Sequence, residues 1–429
     1  MFPNPQDALP LPASPSLEQY KKLAKDLIKA CESGPRAIGA WADRWMASLL
    51  AGSAQRHINR RAQQVEEFAV RALQRADRQC VLADAQFVLA RSHGFTSWAA
   101  FAGHLEALAQ AGTEAADFEA AAEAIVHGDE STLQELLRRN PDLIRARSAR
   151  EHNATLLHYV SANGVEGYRQ KSPKNAARIT QILLEAGADP EAEADVYGGG
   201  CTALGLVATS TPPRQAGVQI PVMQVLLGHG AQIEHPSLAG HGSDAVYACL
   251  ANGCPEAAAY LVERGARVGL VGAAGIGRLD VVRELLDTAD VTRREMAFRY
   301  AAGYGQREIV SFLLDRGVKL DNHSGDGETA LFYAILGDHV EVVRLLLERG
   351  AQPGVRTRYG TVGEAAIWRA AHGGNADRAA EIIDALMAAG AKAPDRHPPV
   401  NEKIDALLSR YGSVADPTRY WWGEEPRPA

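Results

Sequence analysis

Apolar runs that each end on two small residues recur between residues 180 and 392 of this 429-residue chain. Leu183-Leu184-Glu185-Ala186-Gly187-Ala188, Leu226-Leu227-Gly228-His229-Gly230-Ala231 and Leu346-Leu347-Glu348-Arg349-Gly350-Ala351 are three of seven such blocks. The closing positions fall at 187, 230, 265, 289, 317, 350 and 390, so the steps are 43, 35, 24, 28, 33 and 40. Apolar residues inside each block sit at helical spacing, as in Val342, Val343, Leu345 and Leu346, which form one stripe of an amphipathic helix. The glycine that follows supplies the left-handed residue at which such a helix stops. A supersecondary unit recurring at roughly 33 residues predicts a solenoid of stacked helix pairs.

Asp326-Gly327-Glu328-Thr329-Ala330-Leu331 through Leu347 resembles one unit of the ankyrin repeat, and Thr155-Leu156-Leu157-His158 and Thr202-Ala203-Leu204-Gly205 open two further units with the same lettering. The resemblance implies an all-α solenoid of about seven or eight repeats over residues 117–393, with His158 bonding backbone in the next repeat. Residues 117–147 would be a first, degenerate unit, and residues 394–429 a capping helix and tail.

Ahead of the array the apolar spacing stays helical without the repeat. Residues 1–15 are Pro-rich and expected to be extended. Ser16 and Gln19 have the form of a capping box before a first helix, Pro35 can open a second, and a third is expected from Gln55 to Gln79. Asp84-Ala85-Gln86-Phe87-Val88-Leu89-Ala90-Arg91-Ser92-His93-Gly94-Phe95-Thr96-Ser97-Trp98 resembles a helical segment that precedes ankyrin arrays in a group of bacterial proteins. That resemblance implies no activity. It points to a helical cap over residues 16–110, anchored by Phe95 and Trp98, with Arg91 paired to a carboxylate such as Asp84.

Departures from the period mark the candidate site. The unit opened by Thr155 is eleven residues too long between its helices, at about 165–175, and the next is seven too long at 211–217. Insertions in adjacent repeats gather on one face, often the binding face, so the first loop is expected to be dispensable to the fold. These segments bring Glu166, Tyr168, Arg169 and Arg214, and the Gly198-Gly199-Gly200 finger brings Tyr197. The groove-facing ends of the first helices add Asn163, Ser210, Asn252, Tyr304 and His372 among small residues, and His241 is a further polar candidate.

The net charge of −7 argues against nucleic acid as a partner, although residues 16–110 carry 13 basic against 9 acidic side chains. Arg56, Arg60, Arg61, Arg71, Arg75 and Arg78 share one expected helix without interleaved aromatics, and read as a solvated face. Five cysteines without metal-ligand or redox spacing read as reduced thiols in a cytoplasmic protein, and no apolar run is long enough to span a membrane. No metal ligand set, cofactor motif or G-x-S-x-G elbow is present, and sequence alone places no Ser, His and acid together. The expected function is recognition of a protein partner through the concave groove and inserted loops. The alternative is an enzyme or small-molecule receptor with a pocket beneath those loops, holding Glu166, Arg169, Tyr197 and His241.

Overall fold

The computed structural model describes residues 2–73, 80–110, 112–235 and 244–419. The chain is mostly helical, 62%, with strands only as two-residue pairs. It forms two compact units: Met1–Gly242 with Ala251–Tyr260, and Ser243–Leu250 with Leu261–Ala429. Among the described residues, no helix is long and apolar enough to cross a membrane.

The first unit begins with five helices: α1 (Leu17–Ser33), α2 (Pro35–Leu49), α3 (Gln55–Leu73), α4 (Leu82–Ser92) and α5 (Trp98–Leu108). Gly34, at φ +102°, separates α1 from α2, and Pro35 occupies the first turn of α2, where its missing N–H costs nothing. Ser16 precedes α1 in extended conformation but its side chain makes no capping bond, so the expected capping box does not form. Their buried stripes meet in one core that includes Tyr20, Leu27, Ile38, Trp41, Val65, Leu89, Phe95 and Phe101.

The Pro-rich tail is part of this core. Asn4 caps a short 3-10 turn, Pro5–Asp7, and the Leu9 amide donates to the Ser92 carbonyl at 2.8 Å. The His93 Nδ1 lies 3.0 Å from the Leu9 carbonyl, and Phe2 meets Phe68 edge-on. Arg61 pairs with Asp7 at 2.9 Å and Arg71 donates to the Phe2 carbonyl, so two of the six arginines expected on one helix hold the tail; Arg75 and Arg78 lie outside the described residues. Cys31 and Cys80, read above as reduced thiols, form a disulfide. Folding brings their Cα atoms to 6.3 Å across 49 residues, within bridging range, which an odd cysteine count could not reveal. The count therefore no longer argues for a reducing compartment. Cys201, Cys249 and Cys254 are buried and lie outside that disulfide.

Gly94, at φ +84°, ends α4, and Ser97 restarts the chain by accepting from the Ala100 amide. Arg91 reaches Glu151 at 2.7 Å rather than Asp84, because Asp84 lies two turns earlier on its own helix. Phe95 is fully buried, whereas Trp98 is only half-buried and rests on Phe101 at 5.8 Å. Phe95→Ala should therefore destabilise the first unit by about 3–5 kcal/mol and Trp98→Ala by clearly less. Chemical denaturation of the two variants checks the order, and an equal loss would refute it.

After α5 come α6 (Glu114–His127) and α7 (Glu130–Arg139), joined at Gly128 in the left-handed region. The next pair is irregular: its inner element, Leu156–Ser161, is a 3-10 turn, followed by the inserted segment and α8 (Ala176–Glu185). A β1–β2 hairpin (Glu193–Ala194, Cys201–Thr202) leads to α9 (Ala203–Ala208), and the second insertion folds as a short helix, α10 (Thr211–Gln215), before α11 (Gln219–Gly228). The His158 Nε2 lies 3.1 Å from the Cys201 carbonyl of β2.

Two helices follow, α12 (Ala245–Ala251) and α13 (Pro255–Glu263). In the second unit, inner helices α14 (Leu270–Ile276), α16 (Val291–Gly303), α18 (Ala330–Leu336) and α20 (Val362–Ala371) alternate with outer helices α15 (Leu279–Leu285), α17 (Arg307–Asp315), α19 (Val340–Glu348) and α21 (Ala376–Ala388). A last helix, α22 (Glu402–Arg410), follows. One buried cluster runs through them from Leu270 to Leu408. Arg349–Asp315 and Arg344–Glu381 link the outer helices at 3.1 and 2.8 Å, which marks a solvated face.

Candidate functional site

The first inserted segment turns inward. Glu166 is fully buried and Arg169 nearly so, and both join a charge cluster with Arg150 on the 147–152 turn and Glu119 on α6. Arg150 contacts both carboxylates, and Arg169 reaches Glu119 at 2.7 Å, Glu123 at 2.8 Å and Glu166 at 3.3 Å. Phe95 lies under the Arg150 guanidinium, and Tyr159 and Tyr168 flank that of Arg169. Burial pushes the Glu166 carboxyl up, but Arg150, His152 and Arg169 outweigh it and hold it well below the usual range. Glu119 is likewise raised by burial and lowered further by Arg150 and Arg169. The same segment meets the tail: a Cβ on Gly167 would stand 2.8 Å from the Gln6 carbonyl.

This corrects the expectation that the first loop is dispensable. It packs against α6 and the 147–152 turn, and its charges pair with those of Glu119, Glu123 and Arg150. Sequence alone showed Glu166 and Arg169 as added polar residues, but their partners Glu119, Arg150 and His152 sit in segments with no departure from the period. The second insertion lies beside the first, where Lys174 Nζ donates to the Ala216 carbonyl at 2.8 Å, and Arg214 is half-buried within it.

Other expected residues scatter over the first unit. Ser210 is buried and donates to the Ala162 carbonyl, and Asn252 is exposed. Tyr197 is 61% exposed beside three positive-φ glycines, and its hydroxyl donates to Asn163 Oδ1 at 2.5 Å. His241 lies outside the described residues. Glu166 at the centre of the ion cluster and Tyr197 at the surface do not line one pocket.

In the second unit the inner helices carry a continuous aromatic surface. Tyr247 on α12 meets Tyr300 on α16 at 5.2 Å, Tyr300 stacks on Tyr304 at 6.4 Å, and Tyr300 meets Tyr333 on α18 at 6.0 Å. All four are half-buried. Helix α14 lies between α12 and α16, and its sequence explains how they meet across it. Gly272 and Gly275 leave its face bare: a Cβ on Gly275 would stand 2.5 Å from Leu250 and 3.5 Å from Tyr304. The bare Gly275 thus lets Leu250 and Tyr304 close over α14. Phe332, buried beside Tyr333, stacks on Tyr359 at 6.2 Å, and farther on Trp368 and His372 stack at 4.5 Å.

Of the expected residues, Tyr304 and His372 belong to this inner face. Tyr247, Tyr300 and Tyr333 were missed, although Tyr300 precedes Tyr304 by one helical turn, a signal available in the sequence.

Near the C-terminus the fold brings a Ser, a His and an acid together. His397 Nδ1 lies 2.8 Å from Ser413 Oγ and its Nε2 3.1 Å from Asp405. His397 and Ser413 are each only 2% exposed, so the hydroxyl has no approach for a substrate. The trio fastens the parallel strand pair Arg396–His397 and Val414–Ala415 to α22.

Comparison with known proteins agrees with the repeat geometry. Residues 270–357, which span α14 to β3 (Arg356–Thr357), match the family described as ankyrin repeats, in three copies. Over 77 residues the chain is 39% identical to "Ankyrin repeat, SAM and basic leucine zipper domain-containing protein 1" of Ovis aries, covering 18% of this chain and 16% of that protein. Over 111 residues it is 38% identical to "Probable E3 ubiquitin-protein ligase XBOS32" of Oryza sativa subsp. japonica, covering 24% and 22%. Over 60 residues it is 40% identical to "Ankyrin repeat and KH domain-containing protein mask" of Drosophila melanogaster, covering 14% and 2%. The chain thus spans under a quarter of the length of these relatives.

Proposed function

We propose that this chain is an interaction protein of about seven or eight ankyrin repeats behind a helical N-terminal cap, and that it binds a protein partner through the inner face of its second unit. The observation that carries this reading is the run of Tyr247, Tyr300, Tyr304 and Tyr333 across neighbouring inner helices, within or beside the region that matches ankyrin repeats. Aromatic side chains are the common anchors of binding energy, because they bury a large area at low entropic cost. Tyr197, exposed on its finger in the first unit, is a second anchor on this reading. Glu166 and Arg169 act instead as the lock that holds the cap to the first repeats.

The test is retrieval of a cross-linked partner by the tagged full chain from its native cells. Tyr247→Ser with Tyr300→Ser should weaken the association by about thirtyfold, the equivalent of losing one strong anchor. Arg344→Ala with Arg349→Ala, on the outer helices, should leave it unchanged. Full retention by the tyrosine variant, or equal loss in both, would refute the assignment of the inner face.

A further inference from the structure

We infer that the tyrosine patch of the second unit is a receptor for a positively charged, donor-rich side chain, an arginine of the partner, seated over Tyr300 and beside Glu328. The inference rests on the inner-face reading above and specifies the chemistry of what docks there.

The argument starts from where the hydroxyl protons go. Tyr304 donates to the Leu250 carbonyl, and Tyr333 donates to Glu328 Oε2 at 3.1 Å. The Tyr247 and Tyr300 rings meet at 5.2 Å beside them. Two of the four hydroxyl protons are therefore already placed on acceptors. What this patch offers an incoming group is oxygen lone pairs, ring faces and a carboxylate.

The charges nearby point the same way. Glu328 and Arg299 both act on the Tyr333 hydroxyl. Arg299 is buried and turned to Asn322, while Glu328 is only half-buried and bonds directly to the patch. Burial and Glu328 together push the Tyr333 hydroxyl up to about 12, and burial with Tyr247 raises that of Tyr300, so neither supplies a negative charge of its own near neutral pH. Among the described residues, Glu328 is a half-exposed carboxylate bonded directly to the patch, and Asp244, which accepts from the Tyr247 amide, is a second.

An anionic group would face the Glu328 carboxylate. An apolar group would leave its charge uncompensated, bonded to the Ser324 and Tyr333 hydroxyls. A guanidinium satisfies all three features at once: its face stacks on a ring, its edge donates to oxygens, and its charge complements Glu328. Arginine fits better than lysine, because only the planar fork can stack and donate together.

The test uses the full chain with tyrosine rings labelled for NMR, and N-acetyl-arginine amide as the probe. Resonances of Tyr247, Tyr300 and Tyr333, assigned by single Phe substitutions, should shift on titration. N-acetyl-citrulline amide, the same shape without the charge, should bind about tenfold more weakly. Glu328→Gln should weaken the arginine probe by several-fold while leaving the melting transition in place, and Tyr300→Leu should abolish its effect. Equal binding of the citrulline probe, an unchanged affinity in Glu328→Gln, or shifts confined to tyrosines outside the patch would overturn the inference. Those results would leave the inner-face reading standing if Tyr247→Ser with Tyr300→Ser still loses the partner. Conversely, arginine binding at the patch with the partner retained by that variant would uphold the site and refute the reading it rests on.

Discussion

Glu166→Gln should lower the melting temperature of the first unit by about 10 °C. The side chain is fully buried, and its removal leaves the Arg150 and Arg169 guanidinium groups sharing Glu119, with Glu123 only half-buried beside them. Breaking a buried pair by removing one partner costs about 3–5 kcal/mol, because the remaining charge stays desolvated without compensation. For a unit of this size each kcal/mol shifts the transition by about 2–4 °C. The second unit should melt as before, so calorimetry should resolve the effect as a shift of one transition against another. Pairing the change with Arg150→Met should recover part of the loss, since the two residues share one network. Deleting residues 165–175 should unfold the first unit altogether. A Glu166→Gln protein that melts within about 2 °C of the parent would show the cluster to be dispensable.

That prediction reverses the one a sequence reading invites, and the reason is physical. Repeat length was legible because helix stripes and terminal glycines are local signals: Val342, Val343, Leu345 and Leu346 stand buried where their spacing put them. His158 was legible too, since its bond to the next repeat follows from the turn it sits in. The fate of an insertion depends on what it meets. Glu166 meets Arg150, 16 residues earlier, and Glu119 and Phe95 lie farther back still, so nothing in the local pattern told a latch from a binding loop. The same limit hid the Tyr247–Tyr300 contact, which joins residues 53 positions apart in sequence. It also hid the Cys31–Cys80 pairing and the burial of Phe2 and Leu9 in a tail that reads as merely extended.

Acid should unfold the first unit well before strongly acidic pH. Burial lowers His93 to about 3, against the help of its bond to the Leu9 carbonyl. It lowers His104 to about 4, with Arg150 acting in the same sense, and His158 to about 4, against its bond to the Cys201 carbonyl. All three stay neutral in the fold but take up a proton near pH 6.5 once the chain unfolds. Stability therefore falls as pH drops below about 6.5, and it keeps falling until the folded histidines themselves titrate near 4. Each such group contributes up to about 1.4 kcal/mol per pH unit, so three together give on the order of 4 kcal/mol per unit. Below about pH 4.5 the depressed carboxylates of Glu119 and Glu166 act in the same direction, since the unfolded chain protonates them first. In the second unit His339 is lowered in the same sense but is only half-buried, so its weight is smaller. Calorimetric scans from pH 7 to pH 5 should show the first unit's transition falling by about 10 °C or more while the second moves little. His104→Phe should flatten the first unit's pH dependence by roughly a third, because that side chain can no longer bind a proton in either state. Parallel movement of both transitions, or an unchanged slope in His104→Phe, would mean that the buried histidines do not set the acid limit of this fold.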